Sequence, residues 1–531
     1  MKHKISVASI LILILLFAVI VFPQESKPDG GVKPDTKKEN PSTVELTFIQ
    51  EFIPRYQQIM AKFMTLRFKD QNVKIKGIDT EKLTGLYRDL FKDTGIKIPA
   101  KEKILSKIGL FPNGYNLLES FLQMYGQAAN AFFDPMANEI FLDTKLTPDQ
   151  INAINRLSYE KRKKKVEDDW SRTLVHELTH ALQYQNTNLF LYNVNNDTNL
   201  AIRSLCEGEA SLAGYYYTLE YSDRAISSSV AKPDISFSVG SQGGGLSSGS
   251  IINLDEQAGM DAKAAVKYYL ASIASQFCHT WDTENIPENP YLWRVVMFPY
   301  CKGMRFAQKV HSQGNWEAIA KLYANPPLST EQIIHPDKYN KDFPQRIKLP
   351  GLAETLGDKW RLGGQEIIGQ LGVELMFREL LPKDDPSIPS EGWDGDSCAL
   401  YENPETGQSF LAWYFAWDWY LHANEFFNSY KKVIGLKYKY AVTMESIDNN
   451  IIWADGETVK MPKDVLGQLF KNKLLAAYRI KDTDNVIWLE KRSDALLLLE
   501  DIPEEFVEAV REKIWKSVEK KEVRSVEEYL K

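Results

Sequence analysis

Apolar residues recur at helical spacing over residues 44–68 and in further stretches up to about Tyr125, so the first part of the chain reads as helices. The period then changes. Residues 131–143 alternate around an Asp134-Pro135 turn, which predicts a short hairpin with its second strand over 139–142. Helical spacing returns beyond it: Trp170, Leu174, Leu178, Ala181 and Leu182 form one stripe, while His176, His180 and Gln183 fall on another side. Helices are predicted again over 199–221, from about Glu256 onward and over 364–381. Residues 227–249 lack any period and are rich in small side chains, which predicts a loop. Asn325-Pro-Pro-Leu-Ser-Thr-Glu-Gln-Ile-Ile-His335 reads as a Pro-punctuated turn, and the aromatic run over 410–430 as core packing. Near the end, 486–489 and 495–499 flank a polar turn and suggest a hairpin, after which Pro503 opens a terminal helix.

At 531 residues and 44% hydrophobic content the chain can bury a large core. The net charge of -7 argues against a nucleic-acid partner, and Lys161-Arg-Lys-Lys-Lys165 reads as a solvated face. The chain begins with a basic Met1-Lys-His-Lys4 followed by 5–22, which holds no charge, and then a Lys/Pro/Asp-rich stretch. This pattern predicts export through residues 1–22, as a signal peptide or as a retained membrane anchor with its basic end in the cytoplasm. No small-x-small cleavage site is evident near residue 22, which favours the anchor, and a flexible linker is expected over 23–43. An extracytoplasmic location permits disulfides among Cys206, Cys278, Cys301 and Cys398, but their pairing does not follow from sequence.

The chemistry concentrates in His176-Glu177-Leu178-Thr179-His180. Two imidazoles four residues apart on a helix lie on one face, which suits two positions on Zn²⁺, and the glutamate beside them can reach an activated water. Only seven histidines occur in the chain, so a chance pair at this spacing around a glutamate is uncommon. The bland alternative is a pair of hydrogen-bonded core histidines. A reactive zinc site needs a third protein ligand and an open position. Position 186 is Asn, which excludes a third histidine six residues on, and an acid on the following helix is the common remaining solution. Glu207 and Glu209 both qualify; two residues apart on a helix, they cannot both face the metal, and Glu207 is favoured. His335 and the tyrosines Tyr215, Tyr216 and Tyr217 are candidates to stabilise an oxyanion, although packing explains each as well. His279, His311 and His422 show no metal spacing, and Gly392-Trp-Asp-Gly-Asp396 lacks the spaced oxygens of a calcium loop and reads as a tight turn.

His176-Glu-Leu-Thr-His180 with a downstream Glu207-Gly-Glu-Ala210 resembles the gluzincin metallopeptidases. It is most similar to secreted or membrane-anchored bacterial and archaeal proteins bearing a HELTHALQ…EGxA signature. The stretches 325–336, Gly392-Trp-Asp-Gly-Asp396 and 417–427 add to the likeness, which spans roughly residues 130–430. The resemblance implies Glu207 as the third ligand and Glu177 as general base. It departs from thermolysin-like members a turn beyond the ligand, where Ala210 and Ser211 replace an acid, which leaves open what orients His176 or His180; Glu209 or an acid elsewhere is the candidate substitute.

These readings together predict a predominantly helical α+β protein. It should have a zincin-like catalytic core over 44–432, a short sheet beside the motif helix and a small α/β extension over 433–531. The expected function is extracytoplasmic, zinc-dependent hydrolysis of a peptide or protein substrate, with the membrane engaged through the N-terminal segment. A cell-wall amide is a further possible target. A binding or scaffold protein with a structural or vestigial zinc site is the alternative from another class.

Overall fold

The computed structural model describes residues 18–20, 41–78, 84–85, 88, 98–143, 148–189, 194–221, 262–278, 289–385, 388–438, 442–447, 450–453, 473–481 and 483–530. The loop expected over 227–249, nearly all of the linker over 23–43, and His279 lie outside them. The fold is mixed α+β with several sheets.

The helices are α1 (Pro41–Phe63), α2 (Ile98–Ile108), α3 (Leu117–Ala128), α4 (Pro148–Asn155), α5 (Tyr159–Asn186), α6 (Asn196–Glu220) and α7 (Ala262–Phe277). They continue with α8 (Pro290–Leu322), α9 (Thr330–Ile334), α10 (Ala353–Leu356), α11 (Gly369–Leu380), α12 (Tyr420–Lys437), α13 (Glu504–Ser517) and α14 (Val526–Leu530). The strands are β1 (Ala18–Ile20), β2 (Lys74–Ile78), β3 (Ala129–Asp134), β4 (Glu139–Asp143), β5 (Gln345–Lys348), β6 (Arg361–Glu366) and β7 (Trp393–Glu402). After them come β8 (Ser409–Trp417), β9 (Val442–Ile447), β10 (Asn450–Trp453), β11 (Lys473–Arg479), β12 (Asn485–Arg492), β13 (Ala495–Pro503) and β14 (Glu519–Glu522).

The motif helix α5 packs on α6, and α6 packs on α8. From Ser171 to Gln183 α5 is buried almost all round, as α6 is from Ala201 to Ala210. The polar side of α5 is therefore turned not to solvent but onto α6, which takes two imidazoles and a carboxylate into the interior. Asn195 caps α6 by accepting from the Thr198 N–H at 2.9 Å.

The expected hairpin is present as β3 and β4, part of a four-stranded sheet of order β1-β3-β4-β2 in which only β2 and β4 run parallel. Its β3 lies against α5. The membrane anchor expected over 5–22 is overturned. Among the described residues no helix is long and apolar enough to cross a membrane. The described part of that segment, Ala18–Ile20, is instead a strand paired antiparallel with β3. A span needs about 20 helical residues, and backbone paired as a sheet edge cannot supply one.

A second sheet is antiparallel throughout, in the order β10-β9-β11-β12-β13-β8-β7-β6. Side chains alternate across it. Trp413, Phe415 and Trp417 of β8 enter the large core shared with the helices, while Phe410, Ala412, Tyr414 and Ala416 enter a smaller one closed by α10 and α13. The aromatic run thus divides into a strand and α12. The helix expected over 364–381 begins only at Gly369, because β6 takes the residues before it and Gly369 needs a positive φ of 74°. The last hairpin, β12–β13, and the helix opening after Pro503 match their sequence patterns. A disulfide joins Cys278, just past α7, to Cys301 within α8, and Cys206 and Cys398 are buried free thiols.

Candidate metal centre

His176 and His180 project from consecutive turns of α5 toward Glu207 of α6. The two Nε2 atoms are 3.0 Å apart. Glu207 Oε2 lies 3.2 Å from His176 Nε2 and 3.4 Å from His180 Nε2. Three donor atoms on different side chains therefore form a nearly equilateral triangle. A tetrahedral ion with bonds of about 2.0–2.1 Å has donor–donor edges of about 3.3 Å, so the triangle has the size such an ion requires.

Charge and burial agree with that geometry. Burial pushes His176 down to about 4, against the pull of Glu207, so its ring is neutral and has a lone pair to offer near neutral pH. Burial by itself would raise Glu207, but the two histidines outweigh it and hold the carboxyl at about 2. The other oxygen of Glu207, Oε1, accepts from the Tyr300 hydroxyl at 3.1 Å, and Arg203 Nε stands 3.8 Å away. Tyr300 also stacks on the His176 ring, with centroids 6.5 Å apart.

Glu177 is fully buried, and its carboxylate oxygens have no side-chain partner; among the described residues the only group that meets them is the Phe133 main chain in β3, outside good hydrogen-bond geometry. Burial and the nearby Glu207 charge push it well above the usual carboxylate range, opposed by the main chain of Phe133 in β3. A buried carboxylate left without partners is expensive unless something else meets it. It stands beside three donors of metal-binding type.

Glu209 does not join the triangle. Its Oε2 accepts from Gln183 Nε2 at 2.9 Å and from the Tyr323 hydroxyl, while Gln183 Oε1 meets His180 Nδ1 at 2.8 Å. Between the two acids, Gly208 lets α8 come close: a Cβ there would sit 2.2 Å from the Gly303 carbonyl oxygen, and one on Gly303 2.1 Å from that of Ser204. This crossing brings Tyr300, three residues before Gly303, to Glu207. Sequence reasoning missed Tyr300, since nothing local marks it; the glycines at 208 and 303 were the available signal.

His335 stands elsewhere. It closes α9, its Nε2 lies 3.0 Å from Gln370 Nε2 and 3.5 Å from Glu391, and none of its described contacts involves the triangle. Tyr216 packs on Phe63, His311 and Trp316, Tyr217 on Tyr56, and Tyr215 on the Arg172 guanidinium. His422 is wedged against Gly392 and Trp419. Asp396, at the expected Gly392 turn, is filled by four N–H donors from Ile368, Gly369, Trp393 and Trp413, which leaves no oxygen for a cation. A second acidic group, Glu331, Asp342 and Asp418, already encloses a cation, because the Lys338 ammonium lies 2.6–2.9 Å from all three.

A family model described as a domain of unknown function, DUF8575, matches residues 360–463. That segment covers β6, α11, β7, β8, α12, β9 and β10, and leaves α5, α6 and α8 outside. No curated protein and no solved structure matches the chain.

Proposed function

We propose that the chain is a zinc-dependent hydrolase of amide bonds, a peptidase of gluzincin type with a zincin-like core that acts on peptides or proteins outside the cytoplasm. The observation that carries this reading is the pairing of the His176–His180–Glu207 triangle with the buried carboxylate of Glu177, which has no side-chain partner. When bound there, zinc supplies Lewis-acid polarisation of a carbonyl and acidifies water. The chain's own residues do the rest. His176, His180 and Glu207 hold the ion, and Tyr300 keeps Glu207 turned so that Oε2 faces the imidazoles. Glu177 takes a proton from the attacking water and hands it to the departing amine; burial and the nearby Glu207 charge raise its affinity for a proton, which suits that exchange. The Cys278–Cys301 disulfide supports an oxidising compartment. His335 receives no part in this step.

One observation favours a structural zinc site instead. His176 is 5% exposed, His180 1%, and Glu177 and Glu207 0%, so the cluster is closed over in this conformation. Against that, a structural site has no use for a second buried carboxylate with no side-chain partner. The full chain loaded with zinc, and its Glu177→Gln variant, should each bind one ion. Only the former should cleave a mixed peptide library, and a chelator should abolish that cleavage. Equal cleavage by both proteins would remove Glu177 as base, and a fourth protein donor in the X-ray absorption spectrum would favour the structural reading.

A further inference from the structure

We infer that Gln183 and Glu209 form a positioning relay that fixes the tautomer of His180, and so its readiness to ligate a metal through Nε2. The inference rests on the zinc-site reading above and concerns residues outside the three ligands.

A neutral imidazole carries its proton on either nitrogen, and only the bare nitrogen can bind a metal. His180 Nε2 points into the triangle and Nδ1 points to Gln183 Oε1 at 2.8 Å. An amide oxygen only accepts, so that contact requires the proton on Nδ1 and leaves the lone pair on Nε2. Everything then depends on which end of the Gln183 amide faces the ring. An isolated glutamine could turn over and present its NH₂, which would demand the opposite tautomer.

Two acceptors forbid the turn. Gln183 Nε2 donates to Glu209 Oε2 at 2.9 Å and to the Cys206 carbonyl at 2.9 Å. An inverted amide would set its oxygen against a carboxylate and a carbonyl, leaving buried acceptors facing one another. Tyr323 adds a hydroxyl donor to the same Glu209 oxygen, so the acid is itself held in place. Gln183, Cys206 and Glu209 are all at most 1% exposed, which keeps water from offering alternative partners. The acids on either side of Gly208 therefore divide the work. Glu207 faces the imidazole nitrogens directly, and Glu209, two residues on and turned away, acts on His180 through an amide.

This arrangement also accounts for an acid missing from the turn beyond Glu207, where Ala210 and Ser211 stand. A carboxylate bonded straight to the ring would be the ordinary way to orient it. Here the negative charge sits one amide further out, so the ring is oriented without a carboxylate in direct contact with Nδ1–H.

The test measures zinc affinity of the full-length protein by chelator competition, together with the His180 tautomer in metal-free protein labelled with ring-¹⁵N histidine. The His180 signals are identified by their loss in His180→Gln. Wild type should show the proton on Nδ1. Glu209→Gln removes the charge that pins the amide, so it should give a mixture of tautomers and a 10- to 100-fold loss of zinc affinity. In the exchange variant Gln183→Glu/Glu209→Gln the carboxylate now at position 183 accepts from Nδ1–H and the amide now at position 209 donates to that carboxylate, while the Cys206 carbonyl loses its donor. It should therefore recover the single tautomer at a cost in stability. Glu209→Asp, which keeps the charge on a shorter arm, serves if Glu209→Gln does not fold, and should lose less than tenfold. Affinity within threefold of wild type for Glu209→Gln, or an exchange variant with the same mixture of tautomers as Glu209→Gln, would overturn the relay. Tight zinc binding that falls as described in a protein that cleaves no peptide would leave the relay standing and remove the hydrolase.

Discussion

Replacing Gly208 with alanine sets two contributions of opposite sign against each other. On helix propensity alone the change stabilises α6, by about 1 kcal/mol. The structure reverses the expectation. The new Cβ would lie 2.2 Å from the Gly303 carbonyl oxygen, 2.3 Å from its carbon and 2.9 Å from the Met304 nitrogen. All three are backbone atoms of α8, so no rotamer relieves the clash, and the helices must separate by roughly 1 Å to restore ordinary contact. Overpacking of a tight interface costs about 1–3 kcal/mol, and this case belongs at the upper end. The same separation would lengthen the 3.1 Å bond from Tyr300 to Glu207 beyond hydrogen-bonding range. A bond to a charged acceptor is worth about 1.5–3 kcal/mol. The net expectation is a destabilisation of roughly 4 kcal/mol with zinc affinity lowered as well. Chemical denaturation followed by tryptophan fluorescence, with chelator competition alongside, reads both. A variant as stable as wild type, or more so, would refute the account of the crossing.

Three further outcomes follow from the geometry. Joint replacement of Cys278 and Cys301 by serine opens a bridge spanning 23 residues and should cost about 3 kcal/mol, read as a lower thermal midpoint that reductant no longer shifts. Burial, with the Lys267 charge, pushes His311 down to about 4, so the folded protein refuses a proton that the unfolded chain accepts near 6.5. The neutral ring's contribution is then present above pH 6.5 and is lost as pH falls toward 4, by roughly 3 kcal/mol at most; against His311→Gln the wild-type advantage should shrink across that window, and a constant difference would exclude the assignment. Glu207→Gln should abolish stoichiometric zinc binding while Tyr300→Phe, which leaves all three donors, should only weaken it; equal losses would place Tyr300 among the ligands.

The cluster was legible in the sequence to the degree that it is local. His176 and His180 are a turn apart on one helix, so their juxtaposition needs no tertiary information, and the rotation between residues two apart already says that only one of Glu207 and Glu209 can face them, though not which. The β3–β4 and β12–β13 hairpins were visible for the same reason: alternation and a turn specify a neighbour in the chain. What escaped depends on partners far away. Tyr300 reaches Glu207 across 93 residues, through a helix crossing that two glycines permit. Gln183 drew notice only as a third polar residue beside the two histidines, because its role exists only with Glu209 folded beside it. The polar side of α5 is buried as well as its apolar stripe, which periodicity could not show, since it reports two faces and not what covers the second. Nor does alternation say which strands pair: β8 meets β13 after some 80 residues, and the sheet takes strands from both sides of residue 432.

That late pairing has a consequence for how the chain must be made. β8 reads Ser-Phe-Leu-Ala-Trp-Tyr-Phe-Ala-Trp, and one of its edges is closed only by β13. At ribosomal rates of about 5–20 residues per second, β13 emerges on the order of ten seconds after β8. Throughout that interval a nascent protein exposes an aromatic edge with free amide and carbonyl groups, the kind of surface on which chains aggregate. Productive biosynthesis therefore depends on shielding this one strand, and a ribosome stalled short of Ala495 would release a sticky polypeptide even though α5, α6 and α8 had already been translated.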